Sequence, residues 1–240
     1  MTAGEVAVPT GRVPVRDRQR MSGTTAAALR LVAGALLLWL LLVGVGYLFT
    51  HQLRNGGLMR WDDSVERWFA GHRTSGWNRV TKATTYAAET ETVTGIALIF
   101  FVALRLRLGR WRESLFLALA VAGEVTIFVA TTLLVDRHRP AVPKLDGAPP
   151  TSSFPSGHTA ASVALYGGLA IIAWHAARAA WVRTMATVLA VVMPLAVGFC
   201  RMYRGMHHPT DVLAGALLGC CWLAVTASVL LAGAARRGVR

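Results

Sequence analysis

The sequence predicts an all-α, polytopic membrane protein with six transmembrane helices and an interfacial amphipathic helix in the first outer loop. Three observations carry this prediction. Of the 240 residues, 54% are hydrophobic and only 15% charged, a balance far from that of a soluble domain. Apolar stretches close to the roughly 20 residues that cross a bilayer recur six times along the chain. Arginines crowd alternate connections, the asymmetry that places positive loops in the cytoplasm.

The elements follow in order. Residues 1–24, rich in Gly, Thr, Arg and Pro, are expected to form a disordered cytoplasmic tail. The membrane domain covers residues 25–234, and a basic cytoplasmic tail fills 235–240. Its first span, about Leu31–Phe49, follows an Arg-rich start as a signal peptide does. The run is long and lacks a small-residue cleavage site, so it is expected to be retained as a helix. Next, Trp61, Val65, Trp68 and Phe69 recur at helical spacing, with Asp62, Asp63, Glu66 and Arg67 on the other face. That pattern predicts a membrane-surface anchor, with Trp77 at the same interface.

The second span, Tyr86–Leu104, has a weak start because Glu89 and Glu91 lie in it; they mark a helix start or border a polar cavity. Ser114–Val135, His158–Ala177, Thr184–Cys200 and Val212–Ala232 complete the set. The fifth is short and holds Pro194, which membrane helices tolerate. Six spans put Arg105, Arg107, Arg110, Arg112, Arg178, Arg183 and the basic C-terminus on the side of the N-terminal tail, so both termini are expected in the cytoplasm.

The formal charge of +13 is spread over tails and loops without a single stripe, which argues against a nucleic-acid partner. Three cysteines, Cys200, Cys220 and Cys221, show neither a disulfide framework nor a metal spacing. No repeat or linker divides the chain.

Three polar clusters fall on the extracytoplasmic face: Asp136–Pro140, Ser153–His158 and Cys200–Asp211. Their convergence on one compartment predicts a shared site. Ser156 stands where the N-cap of the fourth span belongs, so free N–H groups and the helix dipole form an anion site that Gly157 lets a ligand approach. His158, in the first turn, can give or take a proton there. His207 and Asp211 are four residues apart, about 40° apart on a helix face, as an imidazole and its orienting carboxylate should be. His208 lies three residues from Asp211, so spacing alone does not choose between the histidines. Arg201 and Arg139 offer planar forks for phosphate oxygens. There is no nucleophile elbow, dinucleotide loop or zinc motif, so no metal or other cofactor is expected.

The order Arg139-Pro140, Pro155-Ser-Gly-His158, then Arg201, His207 and Asp211 resembles the type 2 phosphatidic acid phosphatase (PAP2) superfamily over roughly Arg110–Ala232. The resemblance implies that His207 is a nucleophile forming a phosphohistidine and that Asp211 orients it. It implies that His158 protonates the leaving group and later activates water, while Arg139, Ser156, Gly157 and Arg201 cradle the phosphoryl oxygens. His208 matches no motif position and is expected to be a helix-flank residue.

Two positions depart from the family pattern. Thr132 stands where the family carries a lysine, and Cys200 stands where it carries a serine. Arg137 is the first candidate to supply the missing charge, ahead of Lys144 in the following loop. Glu124, inside the third span, is expected to face a polar interior or a partner.

The function these features predict is an integral-membrane, metal-independent phosphatase at the extracytoplasmic face of the cell membrane, acting on a lipid phosphomonoester or diphosphate. Undecaprenyl diphosphate, phosphatidic acid and phosphatidylglycerol phosphate are candidate substrates; membrane lipids are the surroundings. Two alternatives are a phosphotransferase of the same superfamily and a catalytically impaired lipid-phosphate binding or transport protein, the latter motivated by Thr132. A vanadium haloperoxidase shares such a site, but six spans argue against one.

Overall fold

The computed structural model describes residues 15–148 and 150–232, without the side chains of 15–22. No strand occurs among the described residues. The first helix, α1 (Val15–Tyr47), ends in a π-helical turn, Leu48–Gln52. Two short helices, α2 (Gly57–Gly71) and α3 (Ser75–Tyr86), precede α4 (Thr90–Leu108) and α5 (Arg112–Thr132). After a long loop come α6 (Gly157–Ser162), a π-helical turn Val163–Gly167 and α7 (Gly168–Ala176), which together form one continuous rod. The last two helices are α8 (Ala180–Tyr203) and α9 (Pro209–Leu230).

Among the described residues, five segments are long and apolar enough to cross a membrane by themselves: Gly23–Gln52, Arg112–Thr132, Gly157–Ala176, Ala180–Tyr203 and Pro209–Leu230. A sixth reaches that length only as the pair α3 and α4, bent by 43° at a short break. The expected span Tyr86–Leu104 therefore begins late, at Thr90, with Glu89 as the N-cap residue of α4. The bend is where the polar residues of that stretch leave the apolar run. Part of the tail expected over 1–24 lies outside the described residues, and from Val15 onward the backbone is already helical. The basic 235–240 segment also lies outside them.

Packing follows from where the apolar and small side chains fall. One core joins α4, α5, the α6–α7 rod and α9 through Val93, Phe116, Leu117, Leu165, Ile172 and Leu223. A second joins α1, α5, α6 and α9 through Leu42, Ile127, Phe154, Ala160, Leu218 and Trp222. The outward faces of α1, α4 and α8 present Leu37, Ile99, Leu195 and similar side chains, as lipid-facing surfaces do. Helix α9 runs through the middle, and its small residues decide how close its neighbours come. A Cβ on Gly215 would sit 2.3 Å from the Ser156 carbonyl oxygen, and one on Gly219 would meet Val163 at 2.6 Å. The spacing Gly215-x-x-x-Gly219 thus lets the start of the α6–α7 rod lie against the start of α9.

That close approach generates a test. Gly215→Ala must move backbone, because the clash is with a carbonyl and not with a flexible side-chain end. The expected cost is about 1–3 kcal/mol, read as earlier thermal unfolding of the detergent-solubilised protein. Gly95, which a Cβ would leave free of any contact within 4 Å, should accept alanine without loss.

Candidate active site

The site is assembled at one end of the bundle from helix ends and the loop between α5 and α6. That loop closes on itself: Ser153 N–H donates to the Arg137 carbonyl at 2.9 Å, and Ser153 Oγ donates to the His138 carbonyl at 3.1 Å. Ser156 N–H then donates to the Asp211 carbonyl at 2.9 Å, tying the start of α6 to the start of α9. Between these ends lies a cavity of about 630 Å³ whose lining includes Arg139, Asp146, Gly157, His158, Arg201 and His207. All three polar clusters foreseen in the sequence contribute to it.

His207 is buried, and its Nδ1 lies 2.8 Å from the Ser153 carbonyl. A carbonyl only accepts, so Nδ1 carries the proton and Nε2 keeps its lone pair. Burial pushes the His207 imidazole below its ordinary value, against an opposing pull from Asp211, which leaves the ring neutral at pH 7. Asp211 Oδ2 is 3.8 Å from His207 Nδ1, so the carboxylate acts as a nearby charge and Ser153 supplies the hydrogen bond. The helical argument from the four-residue spacing is corrected here. His207 is not on a helix: α8 ends at Tyr203, Gly205 turns the chain at φ 71°, and α9 starts only at Pro209.

The turn also separates the two histidines. His208 is the N-cap residue of α9 and its backbone N–H donates to Asp211 Oδ2 at 2.9 Å; its ring does not line the cavity. His207 does, beside His158.

The two arginines of the cavity lining present unused donors. The Nε atoms of Arg139 and Arg201 are buried without a hydrogen-bond partner, although Arg139 Nη1 donates to the Met206 carbonyl at 2.9 Å and Arg201 Nη1 to Asp146 Oδ2 at 3.3 Å. Buried N–H groups without partners are costly, and a ligand with acceptor oxygens would satisfy them. Arg204, by contrast, is fully engaged: it forks onto Asp146 at 2.6 Å through two nitrogens and donates to Asn78, Thr81 and Leu145. Burial pushes the Asp146 carboxyl up, but Arg204 and Arg201 together hold it below its ordinary value.

Two further expectations are corrected. Ser156 does not line the cavity; its hydroxyl hydrogen-bonds Thr159 Oγ1 at 3.0 Å, and its residue is fully buried against α9. Arg137 is not a free cation for a phosphate. Its guanidinium donates to Asp62 at 2.7 Å, to Thr210 at 2.7 Å and to Asp211, and it also lies outside the cavity lining. Thr132 opens instead on a neighbouring cavity that also holds Lys144 and Arg139, and its hydroxyl is returned to the Val129 carbonyl.

Helix α2 exists where expected, and it is the face opposite its tryptophans that packs against the protein. Met59, Asp62, Glu66 and Phe69 form the buried stripe, while Trp61 and Trp68 are exposed. Asp62 binds Arg137 and accepts from both the N–H and the hydroxyl of Thr210, thereby capping α9 from another helix. Sequence reasoning gave no site role to Asp62, Glu66, Asp146 or Ser153. A signal for the first two was present: positions 59, 62, 66 and 69 share one helical stripe, opposite the tryptophans.

Glu66 is buried with neither carboxyl oxygen hydrogen-bonded. Burial first, then Asp211 and Asp62, push it up to about 9, so it is protonated at neutral pH.

The chain is similar to known proteins in sequence and in fold. The chain is 32% identical over 114 residues to the protein named "Putative undecaprenyl-diphosphatase YbjG" of Escherichia coli (strain K12), a match covering 45% of this chain and 53% of the relative. The match therefore spans about half the length of that curated relative. Its fold is similar to that of the PAP2 type phosphatidylglycerolphosphate phosphatase from Bacillus subtilis, with a TM-score of 0.70 at 20% identity over 83% of this chain and 94% of that one. It is also similar in fold to Aquifex aeolicus LpxE, with a TM-score of 0.54 at 20% identity over 69% and 93% of the two chains.

Two variants test the network beneath the site. Asp62→Ala removes the acceptor of Arg137 Nη2 and of the Thr210 N–H and hydroxyl, leaving buried donors unpaired, and should cost roughly 3–5 kcal/mol of stability, read by thermal unfolding, with Asp62→Asn closer to wild type. For Glu66, whose value is raised on folding, the stabilising contribution is complete below 4.5 and is lost as the pH rises through about 9. Glu66→Gln should therefore match wild type in acid and unfold later than wild type in alkali, flattening the pH dependence across that window.

Residues 113–232, which carry the Arg139, His158, Arg201, His207 and Asp211 constellation, match the PAP2 superfamily, and the chain belongs to it.

Proposed function

We propose that the chain is an integral-membrane lipid phosphatase that acts through a phosphohistidine on His207. The observation that carries this reading is the single cavity onto which His158, His207, Arg139 and Arg201 open, with the Nε donors of both arginines unpartnered. The names of the similar proteins, an undecaprenyl-diphosphatase and a phosphatidylglycerolphosphate phosphatase, support the same class of substrate.

The phosphoryl oxygens lie against the Arg139 and Arg201 guanidiniums and the Gly157 N–H at the start of α6, donors that stabilise the charge of the transition state. His207 Nε2 attacks phosphorus while Nδ1 stays bonded to the Ser153 carbonyl, and the nearby Asp211 carboxylate stabilises the cation that forms on the ring. The phosphorus–oxygen bond to the lipid breaks, and His158 as imidazolium gives its proton to the leaving oxygen. His158, now neutral, takes a proton from water; the hydroxide attacks the phosphohistidine, releasing phosphate and restoring Nε2. These steps need no metal ion. The arginines Arg105, Arg107, Arg110, Arg112, Arg178 and Arg183 stand in the connections at the opposite end of the bundle, which supports cytoplasmic termini and a cavity facing the extracytoplasmic side. Such a site receives an insoluble substrate sideways from the bilayer.

The test is phosphate release by detergent-purified protein with a chelator present, over prenyl and glycerolipid phosphates. His207→Ala should lower release about a thousandfold or more, and wild type quenched in mid-turnover should carry an acid-labile, base-stable phosphoryl group that the variant lacks. A strict need for a divalent metal counts against the mechanism. Phosphorylation of an added alcohol in place of phosphate release would make the protein a phosphotransferase.

A further inference from the structure

The cavity has a second arm that the mechanism does not use. Beyond His158 and Arg201 its lining continues through Ala161, Phe128, Val129 and Val125 to Glu124, and Glu89, Thr90 and Glu91 edge it at the start of α4. Glu124 sits in the middle of α5, 1% exposed, and neither of its carboxyl oxygens has a hydrogen-bond partner. A carboxyl in that position is costly unless something donates to it, and among the described residues no side chain or backbone group does.

Its depth follows from the helix. Phe128, one turn further along α5, packs its ring against Gly157, at 2.8 Å from where a Cβ would stand. Glu124 therefore lies about 6 Å further from the site end of α5 than that contact, on the side where the body of a lipid would extend from its phosphate. The walls between are apolar, so a ligand reaching Glu124 passes hydrocarbon before it meets the carboxyl. The acids of this arm do not gather into a cation cage: among the described residues no three His, Cys, Asp or Glu side chains converge to hold a metal ion. They do make the arm a poor place for a second phosphate, which would face carboxyl groups and no arginine.

We propose that this arm binds a hydrogen-bond donor of the substrate, a hydroxyl or amine a few bonds from the scissile phosphate, with Glu124 as the acceptor. The proposal rests on the phosphatase reading and sharpens it: the substrate is a phosphomonoester whose lipid part carries a donor near the phosphate. Glu89, half-buried as the N-cap residue of α4, and the exposed Glu91 stand at the rim and add acceptor capacity there.

The test uses a matched pair of lipids in detergent micelles, an acylglycerol phosphate with a free hydroxyl next to the phosphate-bearing carbon and the deoxy analogue lacking only that hydroxyl. Wild type should favour the hydroxyl-bearing lipid in kcat/KM by about tenfold, the size of one buried hydrogen bond. Glu124→Leu should bring the ratio close to one by losing activity on the hydroxyl-bearing lipid alone, and Glu124→Gln, which still accepts, should keep part of the preference. Equal kcat/KM for the two lipids in wild type, or an equal fall on both in Glu124→Leu, overturns the proposal. Binding of the same pair to His207→Ala separates it from the reading beneath it. Discrimination that persists in binding while wild type turns over neither lipid keeps the subsite and overturns the phosphatase reading; equal binding of the pair overturns the subsite.

Discussion

The Arg137 guanidinium, held between Asp62 and Asp211 away from water, is the interaction on which the rest of the site depends. Asp62 belongs to α2, Arg137 to the loop after α5, and Asp211 to the first turn of α9. One planar cation thus fixes three separate segments. A buried ion pair adds little stability over an apolar substitute, but removing one partner leaves a charge without compensation. Thr210 satisfies further lone pairs through its hydroxyl and N–H, so the network is closed around the start of α9. From that fixed point, the Asp211 carbonyl accepts from Ser156 and the Asp211 carboxylate accepts from His208 N–H, setting both α6 and the turn that carries His207.

The same arrangement explains why one histidine is available and the other is not. A proline at the first position of α9 and a glycine with positive φ at the end of α8 confine the turn to a few residues. Within it His207 faces Ser153 and the cavity, while His208 serves as N-cap. The carboxylate four residues from His207 influences its charge across 3.8 Å, and the neutral carbonyl of a different loop sets its tautomer. Cation use divides just as sharply. Arg204 and Arg137 are engaged by carboxylates and hold structure together, whereas Arg139 and Arg201, which line the cavity, each keep a buried donor without a partner.

Much of the fold was legible because its signals are local. Long apolar runs, the interruption at residues 200–211 and the small residues of α9 can each be counted along the chain. The clusters around Arg139, His158 and Arg201 to Asp211 were equally legible, since each sits at the end of such a run. Legibility failed where a partner lies far along the chain. On α2, the tryptophans at 61 and 68 mark the membrane-surface face and are exposed, but the polar face opposite them holds the buried Asp62 and Glu66. Hydropathy weighs a carboxylate as a surface group and does not register an arginine 75 residues further along the chain that will bury it. Arg137 was misjudged for the same reason: a cation near a phosphate motif reads as a ligand until its partners are known.

The sequence by itself determined that the chain is a helical membrane protein, which of its ends gather polar groups, and which residue types meet there, because hydrophobic run length and motif spacing act over a few turns of chain. Tertiary structure alone decided which groups are spoken for. Whether a guanidinium, a serine hydroxyl or a carboxyl is free or saturated depends on partners brought close by packing across long loops. Arg137 and Ser156 differ from their expected roles through contacts that no spacing along the chain encodes.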